Sequence, residues 1–544
     1  MIFAAARQES LFGVKIERAI LVTAVASATL FAGAVTWANI HNLDIGLVSK
    51  RSIDEYFFIL VLSRMFEGML SLDPRNFFNI SFFSYGFPYF FLQMVLTIPA
   101  QLAHSYEAML IIARSFSLAW ALGALALSAW WIRRRTGSWV YALLAVWLMI
   151  AMPGFVHMTT IMHPDTMMNF FLLTAFVAAA ELEPARRRDV VIVGLLCGLG
   201  ACAKIQIVIY IPFVAMLLGA RVLMAHSGPD NLRARLVPAA GAVGAVGLLT
   251  PVTYLVLNPF LVRGEALHAF IHDFRQNMES NATNHFTYVL PTAADKLHML
   301  MQSYVPVPVL VVVAAALVVV AAWRRYPFSK LLPELSMLAA GALSCVYVFV
   351  GVEKTWDSYY LPSFILLTVS LISLGGRIAP RGARLQVGLG AALAIALALF
   401  ALRTPVAIAA PIVDDGPEAR ESVPIVFLVA GPLKQIADPH IMISSFTPFQ
   451  FQKLGLRITQ VIYVSGALNA EQMDKANILV IRKNDIYFEP VLLARKGPAG
   501  AELRQSRKRI DTMRAGKDND FLLCAENVTA LVFCRRSVYV LARP

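Results

Sequence analysis

The stretch EAMLIIARSFSLAWALGALALSAWWIRRR, residues 107–135, decides the class of fold. Its apolar part, from Glu107 to Ile132, is long enough to cross the roughly 30 Å hydrocarbon core of a bilayer as an α-helix. It ends abruptly in Arg133, Arg134 and Arg135, as a span does where it reaches the cytoplasm. The stretch therefore predicts a transmembrane helix whose C-terminal end lies inside the cell.

The composition of the whole chain agrees with this interpretation. Of 544 residues, 58% are hydrophobic and 15% are charged, whereas soluble domains carry roughly 25% charged residues. The apolar runs are uniform rather than alternating, so they predict spanning helices and not a barrel. The net charge of +13 falls mostly in short clusters between the runs, as expected of cytoplasmic loops. We therefore expect no nucleic-acid partner.

The order of runs and basic clusters predicts a topology of about 11 transmembrane helices, all clusters lying on one side. Lys15 and Arg18 precede the first run, which places the N-terminus in the cytoplasm. Two large loops then fall on the outer side, residues 41–106 and residues 258–303. The first loop is rich in aromatic residues, which is typical of helices lying in the membrane interface. The fold class predicted is a polytopic α-helical membrane protein.

A second domain is predicted after the membrane region, so that residues 1–404 form the membrane domain and residues 405–544 an outer α/β domain. Its roughly 140 residues are an ordinary domain size. Strand and helix patterns alternate along it. The predicted strands are Ile441–Ile443, Gln460–Val464 and Ile478–Ile481, and the predicted helix is Asn469–Ala476.

Two cysteines in this second domain leave two alternatives open. Cys524 and Cys534 flank a strand-like run. In an oxidising compartment they could form a disulfide, and otherwise they would be two free thiols.

Charged residues gather on the predicted outer side, close to membrane depth, where charges are costly and usually functional. The acidic pair Asp54-Glu55 follows the first span, and an aromatic-rich amphipathic stretch follows the pair. A carboxylate held at that boundary can take a proton from an acceptor hydroxyl as its oxygen attacks a carbon. The alternative is an acid pair at a helix N-terminus, favoured only by the helix dipole.

Two further polar features of the sequence can each be explained either by a binding function or by ordinary structure. Lys204 separates two short apolar runs, where it could bind a lipid-borne phosphate as a point charge or extend to the head groups. His268 and His272 are spaced to share a helix face, which suits a divalent metal ion but also an amphipathic loop helix. Nothing in the sequence decides between these alternatives.

In their order along the chain, these residues resemble motifs of the polytopic GT-C glycosyltransferases. The similarity is to the protein O-mannosyltransferase and lipid A aminoarabinose transferase group, and it covers roughly residues 15–400. The motifs are Asp54-Glu55 with Ser63-Arg64-Met65, Arg114-Ser115, His163-Pro164-Asp165, Ala203-Lys204 and Tyr359-Tyr360-Leu361-Pro362. Two positions depart from the pattern. Tyr85-Gly86-Phe87-Pro88 stands where the group often has Lys-Pro-Pro, and His163 stands where its turn has Arg.

The resemblance implies an inverting transfer of a sugar from a polyprenyl-phosphate donor to an acceptor hydroxyl at the outer membrane face. Asp54 would be the general base, and Lys204, with Arg114 or Arg275, would stabilise the departing phosphate. Glu55 and Asp165 would orient neighbouring groups or the acceptor, and Tyr359 would contact substrate. The lipid-linked sugar is the co-substrate, and a divalent metal ion at His268 and His272 stays open.

The expected partners are the lipid-linked donor, membrane lipids and an acceptor that is a glycolipid, a polysaccharide or a protein. The Ala- and Arg-rich composition favours a bacterial inner membrane with the C-terminal domain in the periplasm. Two other functions remain: a transporter or lipid flippase, and a non-catalytic envelope assembly protein. The first would show two similar halves with broken helices near mid-membrane, and no internal repeat is visible. The second would act through residues 405–544 alone.

Overall fold

The chain divides into two compact units in this computed structural model. The first comprises Met1–Ile40, Phe58–Ala282 and Pro291–Ala410, and the second His41–Phe57, Thr283–Leu290 and Pro411–Pro544. Up to residue 378 the structure describes residues 2–41, 53–80, 84–184, 186–225, 232–282, 291–304, 316–317, 319–320, 327–353 and 356–378. Beyond that it describes residues 425, 427–434, 436, 439–443, 460–463, 468, 473–483, 486–488, 490–494 and 498–538.

Among the described residues up to 378, all regular structure is helical. The helices are α1 (Ile2–His41), α2 (Ile53–Leu70), α3 (Pro74–Phe78), α4 (Phe87–Leu102), α5 (Tyr106–Thr136), α6 (Trp139–Ile150), α7 (Pro153–Thr159), α8 (Asp165–Glu181), α9 (Arg187–Ala203), α10 (Ile211–Ala225), α11 (Leu232–Leu257), α12 (Gly264–Ala282), α13 (Ala293–Ser303), α14 (Phe328–Gly351) and α15 (Leu361–Ile378). Three short 3₁₀ turns join some of them: Ile205–Ile209, Pro259–Val262 and Asp357–Tyr359.

Several of these helices can cross a membrane. Five described helices are long and apolar enough, or six if the bent pair α6–α7 is one span. They are α5, α15 and the segments Glu17–His41, Arg235–Leu257 and Ser329–Gly351. Two further apolar runs of the sequence, the one that ends at Arg324 and the one at residues 385–402, are predicted spans that lie mostly or wholly outside the described residues. The protein is therefore a multi-pass membrane protein, as predicted.

Helix α5 shows how the quoted stretch defines its own ends. The hydroxyl oxygen of Ser105 accepts a hydrogen bond from the Ala108 N–H, which satisfies one open donor of the first turn. At the other end Gly137 adopts a left-handed conformation with φ 81° and closes the helix. The three arginines occupy the last turn, where cations interact well with the helix dipole.

Two apolar runs of the sequence that hydropathy predicts to be spans, residues 139–157 and 206–224, are not single straight helices. The run from Trp139 to His157 bends by 74° between α6 and α7. Pro153 is the cause, because proline lacks an N–H and pushes the preceding Met152 into an extended conformation, ψ 114°. The run predicted to start at Gln206 begins as a 3₁₀ turn and becomes an α-helix only at Ile211.

Salt bridges join the helices at one end of the first unit. Arg135 lies 2.8 Å from Glu334 on α14, and Arg134 lies 2.8 Å from Glu181 at the end of α8. Arg377 on α15 also reaches Glu334, at 3.2 Å, and the Glu334 side chain is fully buried. The basic cluster that marked the predicted cytoplasmic side therefore also fastens α5, α8, α14 and α15 together.

The second unit contains a five-stranded sheet in the order β2-β1-β3-β5-β4. Strands β1, β2 and β3 are parallel, whereas β5 pairs antiparallel with β3 and β4. The elements are β1 (His440–Ile443), β2 (Gln460–Tyr463), β3 (Ile478–Arg482), α16 (Pro490–Leu493), α17 (Pro498–Arg514), β4 (Phe521–Glu526) and β5 (Ala530–Arg535). The three predicted strands are confirmed. Of the predicted helix Asn469–Ala476, the first half, residues 469–472, lies outside the described residues.

Alternating side chains form two apolar layers on this sheet. Ile441, Ile478 and Val532 belong to one layer, while Leu479 and Phe533 belong to the other. Strands β4 and β5 form a hairpin that a disulfide between Cys524 and Cys534 links, with 5.9 Å between the Cα atoms. Of the two alternatives for these cysteines, the structure has the disulfide.

Candidate functional site

A buried ion pair lies where α8 begins and α9 ends. Lys204 follows α9 directly, and its Nζ lies 2.7 Å from Oδ1 of Asp165, the first residue of α8. The side chain of Asp165 is 0% exposed and that of Lys204 is 9% exposed. Lys204 therefore does not extend to the head groups, so that alternative for this lysine is wrong. Each charge depends on the other, because an unpaired charge at such a position is strongly destabilising.

The local fold explains why these two residues meet. Helices α8 and α9 are consecutive and pack against each other, which brings the start of one to the end of the other. The partial positive charge at the N-terminus of α8 favours the Asp165 carboxylate. Lys204 is extended, with φ −153° and ψ 128°, so the chain leaves the helix at the residue that divides the two apolar runs.

His163 is the second partner of Asp165. Its Nδ1 lies 2.7 Å from Oδ2 of Asp165, and its side chain is only 7% exposed. The His163 backbone N–H also donates to the hydroxyl of Ser117 on α5, at 3.3 Å. Each carboxylate oxygen of Asp165 therefore faces one basic side chain, and the turn carrying them is fastened to α5.

Aromatic rings surround the two bases. The Nζ of Lys204 lies 5.3 Å from the centre of the Tyr359 ring and 6.0 Å from that of Tyr85. The Tyr85 ring in turn lies 5.7 Å from the His163 ring, and Phe58 lies 5.9 Å from it. Rings at these distances stabilise a cation while keeping water away from it.

Tyr359 is held in place through its backbone. Gln206, two residues after Lys204, donates its side-chain N–H to the carbonyl of Tyr359 at 3.0 Å. The hydroxyl of Tyr304 donates to the carbonyl of Asp357 at 2.6 Å, at the other end of the same 3₁₀ turn. Burial raises the pKa of Tyr304, and the nearby carboxylates of Asp357 and Asp165 raise it further. Tyr304 therefore stays a neutral donor that fixes the turn.

Tyr85 is held in the same way, at the position where the sequence departs from the Lys-Pro-Pro pattern. The Ser84 carbonyl accepts from the Ile205 N–H at 3.0 Å, so the loop is bonded to the turn that carries Lys204. The Phe87 N–H donates to the side-chain oxygen of Asn258 at 2.7 Å. Gly86 packs so closely that an added Cβ would overlap the backbone of Cys202. Where the Lys-Pro-Pro pattern has a charged lysine, this chain therefore has a loop that is held in place by backbone contacts.

A second acid–base pair lies on the same 3₁₀ turn. Nδ1 of His157 on α7 lies 3.4 Å from Oδ2 of Asp357, and the two side chains are 43% and 20% exposed. Asp357 stands two residues before Tyr359 in the sequence, where nothing indicates its partner. Neither His157 nor Asn258 has a sequence signal that would single it out, because both act through residues far away in the chain.

The remaining predicted site residues lie elsewhere or are only partly described. Arg114 is buried on α5, one turn before Ser117. Glu55 is buried. Asp54 lies on α2, and its side chain is not among those that the structure describes. On α12, Arg275 is exposed, as are His268 and His272. In the part of the chain that the structure describes, no group of three or more His, Cys, Asp or Glu side chains could hold a metal ion.

Comparison with known proteins gives a family match that covers part of this site. Residues 73–241 match the family described as dolichyl-phosphate-mannose-protein mannosyltransferase, a segment that includes Asp165 and Lys204. The fold is similar to two crystal structures of ArnT from Cupriavidus metallidurans, one bound to undecaprenyl phosphate and one in the apo state. The predicted resemblance to the GT-C glycosyltransferases is confirmed.

The similarity to ArnT extends over nearly the whole chain. The TM-scores are 0.55 for the bound and 0.54 for the apo structure, each at 14% sequence identity. Each match covers 96% of this chain, and 99% and 100% of the respective ArnT chain. No curated protein sequence matches the chain. The chain thus has the GT-C-like fold of ArnT over nearly its whole length.

Proposed function

We propose that this protein is an inverting glycosyltransferase that moves a sugar from a polyprenyl-phosphate donor to an acceptor hydroxyl at the outer face of the membrane. The observation that carries the proposal is Lys204, a buried cation enclosed by Tyr85 and Tyr359 at the junction of two helices. The fold adds support, because it is similar to that of a protein that has been crystallised with undecaprenyl phosphate.

Lys204 is suited to the phosphate of the donor and of the leaving group. An ammonium group binds phosphate as a point charge, and enclosure by rings strengthens that attraction by excluding water. As the bond from the anomeric carbon to the phosphate oxygen breaks, its electron pair leaves negative charge on the phosphate. A fixed cation beside that oxygen lowers the barrier. Arg114 and Arg275 are the further candidates for this role.

Asp54 is the proposed general base. It would take the proton of the acceptor hydroxyl while that oxygen attacks the anomeric carbon from the face opposite the phosphate, so that the configuration inverts. Asp165 is less suited to be the base, because Lys204 and His163 already face its two oxygens at 2.7 Å each. We assign Asp165 to the positioning of Lys204, and Glu55 to the orientation of the acceptor.

The proposed setting is a bacterial inner membrane with a cytoplasmic N-terminus and a periplasmic domain from residue 405 to 544. The salt-bridge cluster of Arg134 and Arg135 lies at the C-terminal end of α8, at the other end of that helix from Asp165. This arrangement is consistent with a basic cytoplasmic end and a catalytic outer end. The Cys524–Cys534 disulfide is likewise consistent with an oxidising compartment.

The test is a transfer assay with purified protein in lipid nanodiscs. Labelled polyprenyl-phosphate sugars are supplied in turn, with cell-envelope fractions as acceptors, and the release of polyprenyl phosphate is followed together with the labelled product. We expect transfer from at least one donor, and Asp54→Asn should lower its rate by about 100-fold or more while donor binding is kept. Glu67→Gln, an exposed acid on the same helix, is the matched control.

Two outcomes contradict the proposal in different ways. Near-normal turnover by Asp54→Asn would remove the base assignment and leave the transferase intact. Movement of an unsplit donor across the membrane, with no release of polyprenyl phosphate, would instead support the flippase alternative.

A further inference from the structure

We propose that Trp356 is the residue on which the sugar of the donor stacks, so that it helps to select the sugar and to hold its anomeric carbon in place. The inference rests on the proposed function, because it takes the donor phosphate to bind at Lys204. It deepens that function by adding a contact for the sugar itself.

The Trp356 side chain lies one ring beyond the proposed phosphate position. The Nζ of Lys204 lies 5.3 Å from the centre of the Tyr359 ring. The Tyr359 ring is stacked with that of Trp356, with 5.7 Å between the ring centres and 17° between the ring planes. In a polyprenyl-phosphate donor the sugar is joined directly to the phosphate. With the phosphate at Lys204, the sugar would therefore lie within reach of the Trp356 ring.

Trp356 remains accessible although its ring packs against another. The contact with Tyr359 covers part of the ring, yet the residue is 44% exposed. A sugar ring has an apolar face of C–H groups, and this face packs well on an aromatic ring, whose own face carries partial negative charge. A half-exposed tryptophan can therefore take up a sugar without any change in the packing that holds it.

The segment that carries Trp356 is fixed on both sides. Before it in the chain, Glu353 lies 3.1 Å from the Nζ of Lys296 on α13. After it, the hydroxyl of Tyr304 donates to the carbonyl of Asp357 at 2.6 Å. Because the ring is already held in place, little conformational entropy is lost when a ligand stacks on it. Such a fixed platform suits a site that must keep the anomeric carbon in line with the attacking oxygen.

Polar groups lie beside the ring, as the hydroxyls of a sugar require. The Asp357 side chain is 20% exposed and lies 3.4 Å from Nδ1 of His157, which is 43% exposed. A carboxylate offers acceptor sites for several hydrogen bonds, so Asp357 can accept from a sugar hydroxyl as well. This neighbourhood differs from that of a tryptophan that only anchors a protein at the membrane interface, which needs no carboxylate beside its ring.

The experiment compares lipids that differ by the presence of the sugar. Dissociation constants are measured on the full chain in detergent micelles for undecaprenyl phosphate and for the same lipid bearing mannose, glucose or aminoarabinose. Within one chain, the ratio of two constants isolates the contribution of the sugar, because the phosphate and the lipid tail are common to both ligands. The chains compared are the wild type, Trp356→Leu, Trp356→Tyr and Trp130→Leu. The last is the control, since Trp130 on α5 is similarly exposed, at 47%.

We expect the wild type and Trp130→Leu to prefer at least one sugar-bearing lipid over undecaprenyl phosphate, and Trp356→Leu to lose about tenfold of that preference. Trp356→Tyr, which keeps an aromatic ring, should retain most of it. All four chains should bind undecaprenyl phosphate alike.

Two kinds of result separate this inference from the proposed function. An unchanged ratio in Trp356→Leu, whether both affinities are kept or both fall together, would overturn the inference and leave the proposed function standing. The same holds if the wild type prefers none of the sugar-bearing lipids. Absence of any binding of undecaprenyl phosphate by the wild type would overturn both.

Discussion

Asp165 and Lys204 form an ion pair inside the protein, with 2.7 Å between Oδ1 and Nζ and a sequence separation of 39. The pair joins the first residue of α8 to the residue that ends α9. It therefore fixes the ammonium group beside Tyr359, where the proposed phosphate site lies. The same contact contributes to the packing of α8 and α9 and to the placement of the charge that the proposed chemistry uses.

The stability of the pair can be separated from its function by a double-mutant cycle. Asp165→Asn should destabilise the protein by about 3–5 kcal/mol, because it leaves the Lys204 charge buried without its partner. Lys204→Met should act similarly on Asp165. The double variant should lose much less stability than the two single variants lose in sum, because neither buried charge remains. Denaturation in detergent followed by tryptophan fluorescence measures all four chains, and additive losses would show that the two side chains do not interact.

The loop that carries Tyr85 should tolerate no side chain at Gly86. A Cβ there would overlap the backbone of Cys202 and push the loop away from the Lys204 turn. We expect Gly86→Ala to lower the affinity for undecaprenyl phosphate by about tenfold or more, the equivalent of roughly 1.4 kcal/mol. Gly244→Ala on α11 is the control, because an added Cβ there meets nothing within 4 Å. Equal affinities for the two variants would mean that the loop takes no part in binding.

The disulfide should stabilise the C-terminal sheet. Cys524 and Cys534 close a short loop, with a sequence separation of 10. Its removal by Cys524→Ala with Cys534→Ala should cost about 2–4 kcal/mol. Hydrogen exchange of the β5 amides in the full chain measures the loss, and peptide mapping under non-reducing conditions identifies the bond. Recovery of both cysteines as free thiols from protein isolated without reductant would contradict the pairing.

Much of the site was predictable because its residues interrupt an otherwise apolar chain. Lys204 divides two apolar runs, and His163-Pro164-Asp165 stands at the end of another, so the unusual position of these charges was visible in the sequence, whereas their burial was not. What the sequence did not reveal is which charges meet. The alternative that Lys204 extends to the lipid head groups is wrong, because Asp165 on the neighbouring helix offers a partner within the protein.

The residues that place the aromatic rings could not have been predicted. Asn258 bonds the backbone of Phe87 across 171 residues, and Gln206 bonds that of Tyr359 across 153. Such side-chain-to-backbone contacts depend on how distant helices pack and leave no periodic signal. The bend between α6 and α7 was visible in principle, since Pro153 marks it, but hydropathy continues through the bend and conceals it.

The most direct test of the account is whether the Lys204 charge binds a lipid phosphate. The affinity for undecaprenyl phosphate is measured for the wild type and for Asp165→Asn/Lys204→Met, which removes both charges and leaves neither unpaired. The control is Lys296→Met/Glu353→Gln, which removes another lysine–glutamate ion pair, with 3.1 Å between Nζ and Oε2. We predict binding by the wild type and the control, and a loss of roughly 10- to 100-fold in the Asp165–Lys204 variant, since hydrogen bonds to charged groups contribute about 1.5–3 kcal/mol. Unchanged affinity in that variant would contradict the central claim.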